Sequence, residues 1–105
     1  MTTTERRLEL HEILCTILGS RNVYFQPPES IKMNYPAIVY SLDDIDNQYA
    51  NDGVYLSHRR YSVTVIDKDP DSEIVGKVSA LQNCKFDRPP YQKDNLNHYV
   101  FTLFY

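Results

Sequence analysis

The chain of 105 residues has no tryptophan, only three glycines and two cysteines, and no surplus of basic charge. Three glycines cannot build a phosphate cradle and also supply the turns, and neither G-x-x-x-x-G-K-[ST] nor G-x-G-x-x-G occurs. A zinc site on Cys15 and Cys84 would need two more ligands, yet the three histidines stand singly, with no C-x-x-C or H-x-x-H spacing. The residues after Met1 are too polar for a signal-peptide core, so both thiols are expected to be reduced. Eleven Lys and Arg against fourteen Asp and Glu give a formal charge of −3. That leaves no positive field for phosphate backbones and counts against sequence-specific nucleic-acid binding. Every apolar run falls far short of the ~18–20 residues of a membrane span, so no membrane partner is expected. The length fits one domain, residues 1–105, with a modest core and little room for a deep cleft as well.

What the chain does have is tyrosine: nine, with four phenylalanines. Tyrosine buries a flat ring while its hydroxyl seeks water or a partner, which suits half-buried sheets and protein interfaces. The composition is that of a contact-maker more than a catalyst.

Hydrophobic spacing gives the elements. Leu10, Ile13, Leu14, Ile17 and Leu18 form one helical stripe. Thr2 with Glu5 has capping-box spacing, Thr4 is an alternative cap, and Gly19 stands where a left-handed residue would end the helix. Val23-Tyr-Phe-Gln, cut off by Pro27-Pro28, reads as a short edge strand or extended arm. Tyr35-Pro-Ala-Ile-Val-Tyr-Ser-Leu is a better strand. Residues 43–57 are the longest polar stretch, with a turn signal at Asp52-Gly53, and read as a long loop or extended hairpin. Residues 58–66 alternate cleanly, with Tyr61, Val63 and Val65 on one face.

Asp69 as N-cap and Pro70 at the first helical position predict a second helix carrying Ile74, Val75, Val78 and Leu81, ending near Asn83. Residues 84–87 are a weak strand and residues 88–97 a second loop. The terminal strand, residues 98–105, is apolar on both faces, as for a central strand covered on each side. The expected class is α+β: a small, mostly antiparallel sheet of four or five strands with two helices packed on one face, in the order α-β-β-β-α-β-β.

Chemical motifs mostly fail on inspection. Asp67-x-Asp69-x-Asp71 begins like a calcium loop, but Ser72 stands where that loop needs glycine and Val78 where it needs a bidentate glutamate. Asp44-x-Asp46 fails the same test at Tyr49 and Tyr55. A small metal-dependent hydrolase using Asp43, Asp44, Asp46 or Asp67 stands as the enzymatic alternative. No catalytic, cofactor or metal residue is assigned and none of these groups is expected. A basic cluster, His58, Arg59 and Arg60, is interleaved with Tyr55 and Tyr61. It reads either as a solvated strand start or as a complement to the acidic Asp43, Asp44 and Asp46 of a neighbouring copy.

Two stretches carry a resemblance. The first is Leu8-Glu-Leu-His-Glu-Ile-Leu-Cys-Thr-Ile-Leu-Gly-Ser-Arg-Asn-Val-Tyr-Phe-Gln-Pro-Pro, followed by Tyr35-Pro-Ala-Ile-Val-Tyr. The second is Arg60-Tyr-Ser-Val-Thr-Val-Ile-Asp-Lys-Asp-Pro-Asp-Ser-Glu-Ile, leading to Asp94-Asn-Leu-Asn-His-Tyr-Val-Phe. From about Leu8 to Tyr105 the chain resembles the small tail-completion, tail-terminator-like proteins of long-tailed phages and prophages of Gram-positive bacteria. The resemblance implies a structural virion protein, not an enzyme, that caps the tail tube and joins the tail to the head. It implies a ring, commonly of six copies, with the major tail tube protein and a head–neck connector as partners. The implied location is the tail–neck region of the virion, after assembly in the host cytoplasm. A head-completion adaptor of the neck is the nearest alternative. The family has no catalytic residues to carry over. Contact candidates therefore come from this chain alone: Asp43, Asp44, Asp46, Tyr49, Asp52, Tyr55, Arg59 and Arg60 around the long polar stretch, the edge at residues 23–26, and Tyr91 and Lys93 in the second loop.

Overall fold

The computed structural model describes the backbone of residues 3–50 and 53–105, and the side chains of residues 4–43 and 59–105. Helix α1 (Thr3–Leu18) leads into strand β1 (Val23–Phe25), and then into the long strands β2 (Ala37–Ala50) and β3 (Gly53–Asp67). Helix α2 (Glu73–Ser79) follows, then β4 (Cys84–Phe86), β5 (Tyr91–Lys93) and β6 (Leu96–Phe104). The six strands make one sheet in the order β1-β2-β3-β6-β4, with β5 also on β6. Only the β1–β2 pairing is parallel. This is the expected α+β class and element order, with one more short strand than the sequence announced.

Register decides which side chains meet the helices. Ile38 lies opposite Val65 and Tyr40 opposite Val63, while Val63 and Val65 lie opposite Phe101 and Tyr99. Those residues share one face by strand alternation. Leu10, Leu14 and Cys15 of α1 and Ile74 and Val78 of α2 pack on it as a single buried core. Ile13, Ile17 and Leu18 of the predicted stripe are half-buried at its margin. The other face carries Ala37, Ile66 and Val100, buried, and Val39, Ser62, Thr64, Thr102 and Phe104, half-buried, with no helix among the described residues laid on it. Val100 of β6 is nevertheless 5% exposed on this second face, so the strand is buried on both sides, as expected, with helices on one side only.

Helix ends follow backbone chemistry. Gly19 sits at φ +79, and its N–H reaches the Cys15 carbonyl at 2.9 Å, the left-handed stop expected of it. Thr4 lies inside α1 and does not cap it, while the Thr2 half of the predicted capping box falls outside the described residues. Helix α2 starts later than Asp69 and Pro70 suggest. The Asp67 carboxylate accepts from the Asp69 N–H at 3.1 Å, and the Asp69 carboxylate accepts from the Asp71 N–H at 2.9 Å. Two successive side-chain turns thus absorb the capping oxygens, and Ser72 becomes the residue before the helix. Ala80 closes α2 and the chain then turns through Asn83 at φ +62.

Of the two readings of residues 43–57 the extended hairpin holds, and the expected loop at residues 88–97 is a hairpin too. Residues 43–57 continue β2 and β3 as far as the Ala50–Gly53 pair. Residues 88–97 hold β5 and the start of β6, joined through Asp94 and Asn95 at φ +55 and +63. Two consecutive positive φ values make the primed two-residue turn whose twist matches a hairpin.

Candidate interaction surface

Strand β6 pairs with β3 between Arg60 and Asp67, and β1 pairs with β2 between Ile38 and Tyr40. Arg59 and Tyr105 exchange one further pair of backbone hydrogen bonds, 2.9 and 3.4 Å. Beyond these points β2 and β3 have only each other among the described residues. At ~3.3 Å per residue the unsupported part is a two-stranded ribbon on the order of 20 Å long. It explains the overall extents of 51 × 25 × 24 Å and the radius of gyration of 14.7 Å, against ~13 Å for a compact chain of this length.

The root of the ribbon is a bulge. Leu42 pairs with Tyr61 and Asp44 with Arg60, so Asp43 is the extra residue on β2. Its carboxylate takes the Arg60 Nε–H at 2.9 Å. Arg60 and Asp43, which the sequence offered for pairing between copies, thus meet within one hairpin. Further out, Ile45 faces Arg59 and Asp46 faces His58 in register. A second shift, between the Gln48–Leu56 and Tyr49–Val54 pairs, makes Tyr55 an extra residue near the end. The side chains of Asp44, Asp46, Tyr49 and Tyr55 lie outside the described residues, as does all of Asp52.

Tyr91 and Lys93 stand on β5, at the β6–β4 end of the strand order. The exposed Tyr91 ring stacks on His98 at 4.8 Å and 8°, and Lys93 is exposed two residues on. In front of them Phe86 leans on Phe101 at 5.3 Å while remaining half exposed. The predicted contact regions therefore form three groups, one on the ribbon, one on the β4–β5 edge and one on the β1 edge at residues 23–26, and do not converge on one pocket. Phe86 and Lys85 were not singled out by sequence. The signal was an apolar–basic alternation in residues 84–86 immediately before Arg88-Pro-Pro.

Between helix and sheet lies a polar group that sequence reading passed over. Tyr40 is fully buried, and its hydroxyl lies 2.7 Å from His11 Nδ1 and 3.4 Å from Arg7 Nη1. Arginine can only donate, so the Tyr40 oxygen accepts from Arg7; the direction of the bond to His11 follows the imidazole tautomer. Burial, together with the Arg21 and Arg7 charges, holds the His11 pKa below the ordinary value. Burial likewise pushes the Tyr40 phenol up. A cleft of about 320 Å³ opens on the other side of α1, between Arg6, Leu10, Leu81 and Tyr105. There the Tyr105 hydroxyl donates to Glu9, and burial with that carboxylate lifts its pKa to about 12.

Chemical reactivity finds little support. Both cysteines are free, and burial raises the pKa of each, which disfavours the thiolate a nucleophile needs. Among the described residues no three His, Cys, Asp or Glu side chains gather to hold a metal ion. No helix among them is long and apolar enough to cross a membrane. No family model and no curated protein matches the chain.

Proposed function

We propose that this chain is a structural subunit of a long-tailed phage particle. It caps the tail tube and joins the tail to the head as one member of a ring, for which the resemblance implies six copies. Its partners on this reading are other copies of itself, the major tail tube protein and a head–neck connector. The observation that carries it is the β2–β3 ribbon. An isolated two-stranded ribbon is marginal in water, so one that extends far beyond its sheet gains most from lying against another molecule. The β4–β5 edge, with Phe86, Tyr91, Lys85 and Lys93 exposed, fits the same role.

Deletion of the gene from its phage tests the proposal. The expected particles have unjoined heads and tails of irregular length. Heads joined to uncapped tails of normal length would favour the neck-adaptor reading, and normal infectious particles would overturn both.

A further inference from the structure

The sheet ends in two short strands, β1 and β4, each paired on its inner side alone among the described residues. The Ile38 N–H donates to the Asn22 carbonyl at 3.0 Å and the Gln26 N–H to the Tyr40 carbonyl at 2.9 Å. By alternation Tyr24 also bonds inward, and the N–H and C=O groups of Val23 and Phe25 point away from the sheet. At the other end the Phe104 N–H donates to the Asn83 carbonyl at 3.1 Å and the Asp87 N–H to the Val100 carbonyl at 2.9 Å. That turns Lys85 inward and the backbone groups of Cys84 and Phe86 outward. Pro27-Pro28 and Pro89-Pro90 bound the two open edges.

The two edges match in direction, face and surface. Strand β1 is parallel to β2, and each later neighbour in the order β2-β3-β6-β4 is antiparallel, so β1 and β4 run in opposite directions. Two copies set side by side in one orientation therefore place β4 of the first antiparallel to β1 of the second. Val23 and Phe25 lie on the helix-bearing face with Ile38 and Tyr40, and Cys84 and Phe86 lie on it with Leu103 and Phe101. Directly opposed residues of a ladder must share a face, and the outward-bonding residues of both edges do. The register that overlaps all three residues sets Val23 opposite Phe86, Tyr24 opposite Lys85 and Phe25 opposite Cys84. It lays the Phe86 ring, 51% exposed, beside Val23.

Pairings of like edges match less well. Strand β4 on β4 at full overlap sets Lys85 directly against Lys85, an unfavourable pair. Strand β1 on β1 sets Tyr24 against Tyr24 and leaves Phe86 in water. Because the two edges differ and stand at opposite ends of the sheet, their union is head-to-tail, the kind that propagates or closes.

We infer that the partner of the β4 edge is the β1 edge of a second copy, joined to it as one continuous antiparallel sheet. The inference rests on the ring reading and names the strands that make the ring.

Disulfide trapping tests it, because the three pairings predict three different links. Tyr24 and Lys85 form the pair without mutual hydrogen bonds, whose Cα atoms stand ~4.5 Å apart in an antiparallel ladder, within disulfide reach. Tyr24→Cys and Lys85→Cys, each with Cys84→Ser, are oxidised alone and as an equal, concentrated mixture. Tyr24 is half-buried and Lys85 exposed, so both chains should keep the natural circular dichroism spectrum. The mixture should give a dimer linked between positions 24 and 85, several-fold above the dimer from either chain alone. The chain carrying both substitutions should give a ladder of longer oligomers. Hydrogen exchange of the natural chain needs no substitution: the amides of Val23, Phe25, Cys84 and Phe86 should slow together as concentration rises. A 24–24 or 85–85 link in place of the mixed one, or exchange at these four amides that does not change with concentration, overturns the inference. Rings on tail tubes whose copies never form the mixed link would overturn the inference and leave the proposed function standing. The mixed link in a protein whose deletion leaves particles normal would do the reverse.

Discussion

His11 Nδ1 and the Tyr40 hydroxyl meet at 2.7 Å where α1 lies on the sheet, inside a ring of positive charge from Arg7 and Arg21. Glu12 is the acidic neighbour, and it is drawn to Arg21 by a paired hydrogen bond. The helix is thus docked through a histidine whose neutral form is favoured by burial and by the two arginines. Because its pKa in the folded state is depressed below 6.5, the unfolded chain binds the proton more readily. The stability tied to neutral His11 is present above pH 6.5 and is lost as pH falls towards the folded value. Urea unfolding between pH 7.5 and 5 should show decreasing stability in the natural chain, and a shallower decrease in His11→Gln. Identical slopes would show that His11 does not titrate against folding.

Tyr40 should separate packing from hydrogen bonding. Tyr40→Phe keeps the ring and strips His11 and Arg7 of their shared partner, a loss of about 1 kcal/mol. Tyr40→Ala empties a fully buried site and should cost about 3–5 kcal/mol. Equal losses in the two variants, measured by denaturant midpoint, would contradict this division.

The Asp43–Arg60 pair, with both side chains 38–50% exposed, should matter little to stability. Asp43→Ala and Arg60→Ala are each expected to cost under about 1 kcal/mol. A loss of several kcal/mol would mean that the bulge geometry at the ribbon root depends on the pair.

Asp44→Lys combined with Asp46→Lys changes the ribbon beyond the sheet and leaves the core untouched. The far-ultraviolet circular dichroism spectrum should be unchanged while tail joining falls. Normal joining would show that this part of the ribbon is not a contact.

These expectations trace unevenly to the sequence. Leu10, Leu14, Val63, Val65, Phe101 and Leu103 announce their burial through period alone, because helix and strand spacing survive in any context. Residues 43–57 do not, since a ribbon that meets no core has no apolar alternation to display. Asp94-Asn95 concealed the β5–β6 hairpin because asparagine and aspartate tolerate positive φ without the glycine that usually marks such turns. Asp69 misplaced the start of α2 because its carboxylate serves a turn two residues on. Tyr40 and His11, 29 positions apart in sequence, carry no local pattern that links them. The division of the contact candidates among the ribbon and the two edges likewise needed the strand order, which no spacing reveals.

The central claim is that this chain ends a phage tail tube as part of a ring. Cryo-electron microscopy of the particle encoded with it is the most direct measurement. The account predicts a closed ring of this chain at the head-proximal end of the tail, its β2–β3 ribbon resting on a neighbouring subunit. Particles that lack the chain, or that carry it anywhere else, would contradict it.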